Sequence, residues 1–387
     1  MSSLMPIFLA VVGVYFLINF WLLARLFLAL QGTGIFRVAA CLLALLAFCA
    51  YPLGRVLQGN AWPVRLVAVV GSLWIALAVY AFLLLLAVDV FRLLSRAFHG
   101  WPPLAGGSPA MRYAVCGAIA GGALLIAFIG WINTALPVVR EVDLNLPAPQ
   151  GSPLAGRTLS VAAVSDIHLG RVVSSEYFSR LIDLIAPRKP DMVLFLGDVL
   201  DDYPGLDEKA MAQAVQRLRP PLGVWGILGN HEYIAGGAGR SMDILRQCGI
   251  HMLRDEWAAP GGQVLLVGRD DRAGMRLPGP PRASLPEILA TVPANLRALP
   301  LIVLDHEPLQ LDQAEAAGAA LQLSGHVHGG QLFPFNFIVA AFFENAYGPS
   351  RRGTTQYWVS SGAGTWGPRV RTIHRPEILL FRIRFGS

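Results

Sequence analysis

The sequence predicts a chain in two parts: a four-helix transmembrane region, then an α/β domain whose sheets are covered by helices. Three observations predict it. The 387 residues are 54% hydrophobic and only 14% charged, against about 25% charged in a soluble domain. Apolar runs of membrane-spanning length crowd the first third. Beyond them, short aliphatic runs alternate with helical stretches, which is the pattern of a layered α/β domain.

Four stretches approach or exceed the roughly 20 residues a spanning helix needs: Leu4–Leu23, Val38–Leu57, Leu66–Leu86 and Tyr113–Asn133. None carries a charge at its centre. Arg25, Arg37, Arg55, Arg65, Arg92, Trp62 and Trp101 gather at the ends, as interfacial anchors do. Gly117, Gly121 and Gly122 give the fourth span a small-residue face for packing on a neighbouring helix. Core helices of a soluble protein would also be apolar, but four such runs in succession, with hardly an acid among them, speak against that reading. The first run lacks a basic leader and a small-x-small cleavage site, so an uncleaved helix is expected. Without intramembrane acids, histidines or paired charges, the spans read as an anchor or partner-binding bundle and not as a transport path.

The net charge of +6 is unevenly spread. Residues 1–140 hold eight Arg, no Lys and one acid, Asp89, a balance of +7; the remainder holds 23 basic and 24 acidic residues, a balance of −1. The basic character belongs to the membrane region, and nucleic acid is not expected as a partner. Arg25, Arg37, Arg92, Arg96 and Arg112 flank the first and third connections. Arg55, Arg65 and Arg140 lie on the other side. Five against three places the first set in the cytoplasm and predicts an integral protein of the cell membrane with its soluble domain extracytoplasmic. Of the four cysteines, Cys41, Cys49 and Cys116 lie in apolar runs and Cys248 stands alone in the soluble part, so cysteine usage leaves the compartment open.

The composition divides the chain into a transmembrane region at 1–135, a Pro- and Gly-rich linker at 136–156 with a short strand at Val138–Leu146, and a domain at 157–387. In that domain strands are expected at Leu159–Val164, Met192–Leu196, Val224–Leu228, Val264–Val267, Leu301–Leu304, Leu321–Leu323, Tyr357–Val359 and Ile378–Ile383, with helices at Ser175–Ala186 and Glu208–Leu218. Polar residues follow five of these strands directly. The first runs into Asp166 and His168, the second into Asp198, the third into Asn230 and His231, the Leu301 strand into His306, and the Leu321 strand into His326 and His328. In open α/β sheets ligands bind beyond the carboxyl ends of the strands.

Each block alone has an ordinary reading. Asp-x-His caps a turn, Gly-Asp ends many strands, Gly-Asn-His suits a left-handed turn, and a lone histidine is usually a hydrogen-bonded structural residue. His-x-His is a better metal signal, because in an extended segment the two rings share a face. Taken together the blocks say more: five of the eight histidines fall in these strand-end turns.

The ordered blocks D-x-H, G-D, G-N-H-E, H and G-H-x-H resemble the calcineurin-like metallophosphoesterase superfamily. The strings SDIHLG, GDVLD, LGNHEY, LSGHVHGGQ and SGAGTWGPRVR…RPEI are similar to its YkuE/YaeI-type membrane-associated branch, over roughly residues 155–383. The resemblance implies a four-layer sandwich, two β-sheets flanked by helices, and a dinuclear site. Asp166, His168 and His328 would hold one ion, Asn230, His306 and His326 the other, and Asp198 would bridge them. A carboxylate, amide and imidazole donor set suits Mn, Fe or Zn, and two such ions activate a bridging hydroxide for attack on phosphorus. With Asn230 as the ligand, His231 is left to steady the phosphoryl oxygen or protonate the leaving group. Asp201 would orient a ligand, although it and Asp202 also read as solvated loop acids. Glu232 and Asp305 stand where similar sequences often carry Asp and Ser.

The branch implies hydrolysis of a phosphodiester, phosphomonoester or pyrophosphate in a lipid or cell-envelope compound, of which UDP-2,3-diacylglucosamine-like molecules are one example. The run from Leu332 to Phe343 holds five phenylalanines. It reads either as a segment packed on the domain core or as an apolar lip for an acyl chain or the bilayer. Arg351, Arg352, Arg369 and Arg371 offer themselves to phosphate or remain surface cations. A noncatalytic membrane scaffold or sensor on the same fold is the alternative. It predicts lost ligands, and all eight site residues are present.

Overall fold

The computed structural model describes residues 5–97, 108–147, 149, 151–276 and 281–386. Trp101 and Leu4 lie outside them. The chain divides into two compact units, with the changeover at Ile132 and Asn133.

The first unit is helical: α1 (Met5–Ala29), α2 (Ile35–Val56), α3 (Trp62–Ala97) and the body of α4 (Pro109–Ala135). All four helices are long and apolar enough to cross a membrane, which supports an integral-membrane topology. The helix α3 outruns the expected span by more than two turns, and its extra length brings in Asp89, which pairs with Arg25 of α1 at 2.6 Å. Glycine packing also falls elsewhere than expected. A Cβ at Gly117 or Gly121 would meet nothing within 4 Å, and only Gly122 has a neighbour, Leu84. The backbones that touch are those of α2 and α3, where a Cβ on Gly71 would run into Ala50 and Tyr51. Small residues matter where helices cross, and the crossing point is a property of the pair and not of one helix.

The second unit carries β1 (Val138–Pro147), β2 (Thr158–Val164), α5 (Ser175–Ile185), β3 (Met192–Leu196), α6 (Glu208–Val215), β4 (Val224–Ile227), α7 (Asn230–Ile234), α8 (Ala238–Gln247), β5 (His251–Met252), β6 (Glu256–Ala258), β7 (Leu265–Gly268), α9 (Leu285–Ala290), β8 (Leu301–Leu304), α10 (Leu311–Ala316), β9 (Leu321–Ser324), α11 (Phe335–Phe342), β10 (Gly348–Arg352), β11 (Thr355–Val359) and β12 (Glu377–Gly386). They form two mixed six-stranded sheets, ordered β1-β12-β2-β3-β4-β5 and β10-β11-β9-β8-β7-β6.

Strand periodicity builds the layers. Successive side chains point to opposite faces, so Val161 and Ala163 of β2 join Met192, Leu194 and Leu196 of β3 in a core shared with Ile302 and Leu304 of β8. Ala162, Val164, Val193 and Phe195 face the other way, onto α5 and α6. Likewise Leu301 and Val303 turn outward toward α9 and α10. The result is helix, sheet, sheet, helix. Val138–Pro147 pairs along its whole length with β12 in parallel register and forms one edge of the first sheet. The five-phenylalanine run is not a core segment: α11 buries no residue, and Phe337 and Phe342 are 64% and 78% exposed.

Candidate metal centre

Every predicted site residue lies just past a strand, as the sequence places it, and the layering turns those strand ends toward one another. Asp166 and His168 follow β2, Asp198 follows β3, and Asn230 and His231 open α7 after β4; His306 follows β8, and His326 and His328 follow β9. The two sheets thus contribute to one cluster. Asp166, His168 and His328 have donor atoms within 4.8 Å of one another, as do His168, Asp198 and His231, and Asp198, His306 and His326. Asn230 joins the last group, its Oδ1 lying 2.9 Å from Nδ1 of His326.

The backbone is held in an unusual state to achieve this. Asp166, His168, Asp198, His326 and His328 all have positive φ, between 50° and 74°, and make up five of the nine non-glycine residues with that conformation among the described residues. Each costs on the order of 1–3 kcal/mol, and such strain gathers at functional sites. Close approach matters as well: at Gly197, with φ +90°, a Cβ would come within 2.6 Å of His306 Nδ1.

The donors fit metal ions. His306 Nδ1 donates to the Leu196 carbonyl at 2.7 Å, which turns Nε2 into the cluster. Burial lowers this imidazole's pKa, but Asp198 and Asp166 outweigh it and hold it well above the usual histidine range, so a proton sits where a metal cation would. Nε2 is buried without a hydrogen-bond partner among the described residues, 3.2 Å from Asp198 Oδ2 and 3.9 Å from Asp166 Oδ1. A lone pair facing two carboxylates is repelled unless a cation or proton lies between them. Nε2 of His168 and Nε2 of His328 are 3.0 Å apart. Two imidazole nitrogens turned this closely toward each other could be held by one ion.

Comparisons with known proteins agree with this geometry. The calcineurin-like phosphoesterase family matches residues 159–330. A metallophosphoesterase of Aquifex aeolicus is 32% identical over 232 residues, covering 59% of this chain and 86% of that protein. The chain belongs to this metallophosphoesterase family. A metallophosphoesterase of Campylobacter jejuni is also 32% identical, over 260 residues and 65% of each chain, so the match spans just under two thirds of that relative. The metallophosphoesterase YkuE of Bacillus subtilis is 26% identical over 278 residues, 69% of this chain and 94% of YkuE. Family and clustered donors together support a metal-dependent hydrolase domain.

Around the cluster, the phosphoesterase places several groups whose roles were not read from the sequence. Glu232 is fully buried and accepts from the backbone N–H groups of Asp198 (3.0 Å), Leu200 (2.9 Å) and Gly229 (2.7 Å), tying the turns after β3 and β4 together. Burial and the nearby Asp198 push its carboxyl up to about 7. Asp305 sits between Arg269 at 3.2 Å and Arg282 at 2.5 Å. Its adjacency to His306 hinted at a tuning role, but both arginines are distant in sequence.

Neither Asp201 nor Asp202 is a solvated loop acid. Asp201 Oδ1 is 2.6 Å from Nδ1 of His231, and Asp202 holds Arg171 at 2.8 Å. Burial raises the Asp201 carboxyl, but the adjacent His168 and the hydrogen-bonded His231 outweigh it and hold it well below the usual carboxylate range. Burial pushes the His231 imidazole down, yet Asp198 and Asp201 carry it up to about 9.

Arg371 corrects the reading that offered it to substrate. Its side chain is 0% exposed and its Nη2 lies 2.6 Å from the Ser361 carbonyl and 3.2 Å from His328 Nδ1. Burial lowers its pKa to about 10, so it stays charged and braces the His328 ring. Arg351 bonds to the Gly353 carbonyl, and Arg352 pairs with Glu344 at 3.1 Å.

Proposed function

We propose that this chain hydrolyses a phosphodiester, phosphomonoester or pyrophosphate bond in a lipid-linked or cell-envelope compound, with two divalent ions held by Asp166, His168, Asp198, Asn230, His306, His326 and His328. The observation that carries the metal reading is the buried Nε2 of His306, without a hydrogen-bond partner among the described residues and facing Asp198 and Asp166. In this reading Asp166, His168 and His328 hold one ion and Asn230, His306 and His326 the other, with Asp198 shared. Borderline ions, Mn, Fe or Zn, suit these donors. Bound there, the ions supply Lewis acidity, acidifying an attacking water and offsetting charge on the phosphoryl oxygens.

The remaining steps belong to the protein. Asp201 fixes Nδ1 of His231, which leaves Nε2 to reach the substrate. A protonated His231 then donates from Nε2 to the departing oxygen or to a phosphoryl oxygen. Glu232 and Arg371 hold the turns and the His328 ring, so that the ligands do not have to reorganise during reaction.

The lipid-linked substrate is supported by α11. This helix begins seven residues after His328, presents Phe335, Phe337, Ile338 and Phe342 to the outside, and is followed by Phe343, whose ring centroid lies 5.9 Å from that of His326. An exposed apolar patch beside a polar centre suits a substrate with an acyl chain. Membership of the YkuE-type branch and an extracytoplasmic position for this domain complete the proposal, the latter from the arginine balance of the connections.

Phe335→Ser with Phe337→Ser tests the substrate class. Turnover of a lipid pyrophosphate or phosphodiester should fall at least tenfold, while bis-aryl phosphodiester turnover stays within twofold. Equal losses on both would overturn the apolar lip. A membrane-impermeant maleimide should label an introduced Asp312→Cys in intact cells; labelling only after lysis would reverse the orientation.

A further inference from the structure

The helical unit contains a cavity of about 580 Å³, within the 300–1,000 Å³ common for ligand pockets. Most of its wall is apolar, including Leu22 and Leu26 of α1, Leu77 and Leu85 of α3, and Ile119 of α4. The charges sit at one end. Arg25 lies near the close of α1, Arg92 near the close of α3 and Arg112 in the first turn of α4, and all three line the cavity with Gln31. These chain positions belong to one side of the helical unit, at the level where lipid headgroups lie.

Their charge is not balanced. Arg25 and Arg92 share a single carboxylate, Asp89, at 2.6 and 3.4 Å, and among the described residues the Arg112 guanidinium meets only the neutral amide oxygen of Gln31 at 3.5 Å. Three cations and one anion leave +2. The Nε atoms of Arg92 and Arg112 are buried with no hydrogen-bond partner among the described residues. Uncompensated cations beside a pocket between spanning helices attract anionic lipid headgroups. Guanidinium groups are suited to phosphate, which they bind through paired N–H donors.

The length fits an acyl chain. From Arg112 to Leu124, both on the wall, α4 advances twelve residues, or about 18 Å. Half the hydrocarbon thickness of a bilayer is about 15 Å. Leu28 and Leu124 on the cavity's lining are more than half exposed, so the cavity opens sideways, toward where lipid would be. We propose that the helical unit holds one anionic phospholipid from the bilayer, with its acyl portion in the cavity and its phosphate on Arg92 and Arg112. The site is separate from the metal cluster and does not depend on the reading of that cluster.

Full-length protein in mild detergent, stripped of lipid by washing, would be mixed with phosphatidylglycerol or phosphatidylcholine and bound lipid counted per chain by native mass spectrometry. The expected result is one phosphatidylglycerol per chain, held at least tenfold more tightly than phosphatidylcholine and not displaced by millimolar inorganic phosphate. Arg92→Gln with Arg112→Gln should bring the two lipids within twofold of each other. Ala81→Trp, which fills the cavity, should abolish retention with helix content by circular dichroism unchanged. Ala120→Trp, on α4, fills the same space if Ala81→Trp does not fold. Equal retention of both lipids by the native chain, displacement by inorganic phosphate, or undiminished retention in a folded cavity-filling variant would each overturn the proposal.

Discussion

At the scale of single residues, the centre is a problem of unpaired charge. Asp166 and Asp198 are buried beside imidazole nitrogens whose other ring atoms are already committed. Burial pushes the Asp198 carboxyl up, but His306, His231 and His168 outweigh it and hold it well below the usual carboxylate range. A carboxylate kept ionised between two groups of donors is suited to bridging two ions. Asp198→Asn should therefore take metal content from two ions per chain to near zero, read by elemental analysis, and reduce turnover at least a hundredfold. His231→Gln should keep both ions and slow turnover by about 10²–10⁴; loss of the ions would remove its assigned role.

Asp271 offers a different readout. Burial pushes its carboxyl up to about 7, against about 3.9 in an unfolded chain. A raised acid contributes stability below its unfolded pKa, and that contribution is lost as pH rises through the folded value. In metal-free protein, Asp271→Asn should match the native chain at pH 4 and exceed it by roughly 3–4 kcal/mol at pH 8, measured by urea unfolding.

At the scale of elements, the edge strand β1 decides where the catalytic unit starts. It pairs with β12 over ten residues from Val138 to Pro147, and Val142, Leu144 and Leu146 are buried in the core between the sheets. A chain starting at Leu136 should unfold cooperatively in urea, and one starting at Gly151 should lose several kcal/mol of stability or aggregate, since three buried aliphatic side chains at about 1.5–3 kcal/mol each go with it. The strands were legible because short aliphatic runs with period two are a local signal. The exposure of α11 was not. A five-phenylalanine run has the same composition on a core and on a surface, and only the position of its neighbours tells them apart.

At the scale of the whole molecule, the bound ions should be part of its stability. Ligands that bind only the folded state add about 2.7 kcal/mol at a hundredfold excess over Kd. For a unit of this size each kilocalorie moves Tm by about 2–4 °C. Chelation should thus lower the Tm of the catalytic unit by about 5–10 °C per ion removed, and added Mn²⁺ or Zn²⁺ should restore it; an unchanged Tm would argue against structural coupling of the site.

The sequence by itself determined which side chains stand at the strand ends, in what order, and which helices are long and apolar enough to span a bilayer. Those properties are local: a strand's alternation, a turn's composition, a helix's length. Tertiary structure decided what those residues meet. His168 and His328 are 160 positions apart and come within 3.0 Å; Arg371 turns inward to brace a ring; Glu232 binds turns after two different strands; and Arg25, Arg92 and Arg112, which stand at the ends of three different helices, gather around one cavity. Each of these follows from how sheets and helices pack, which brings together parts of the chain that no local pattern connects.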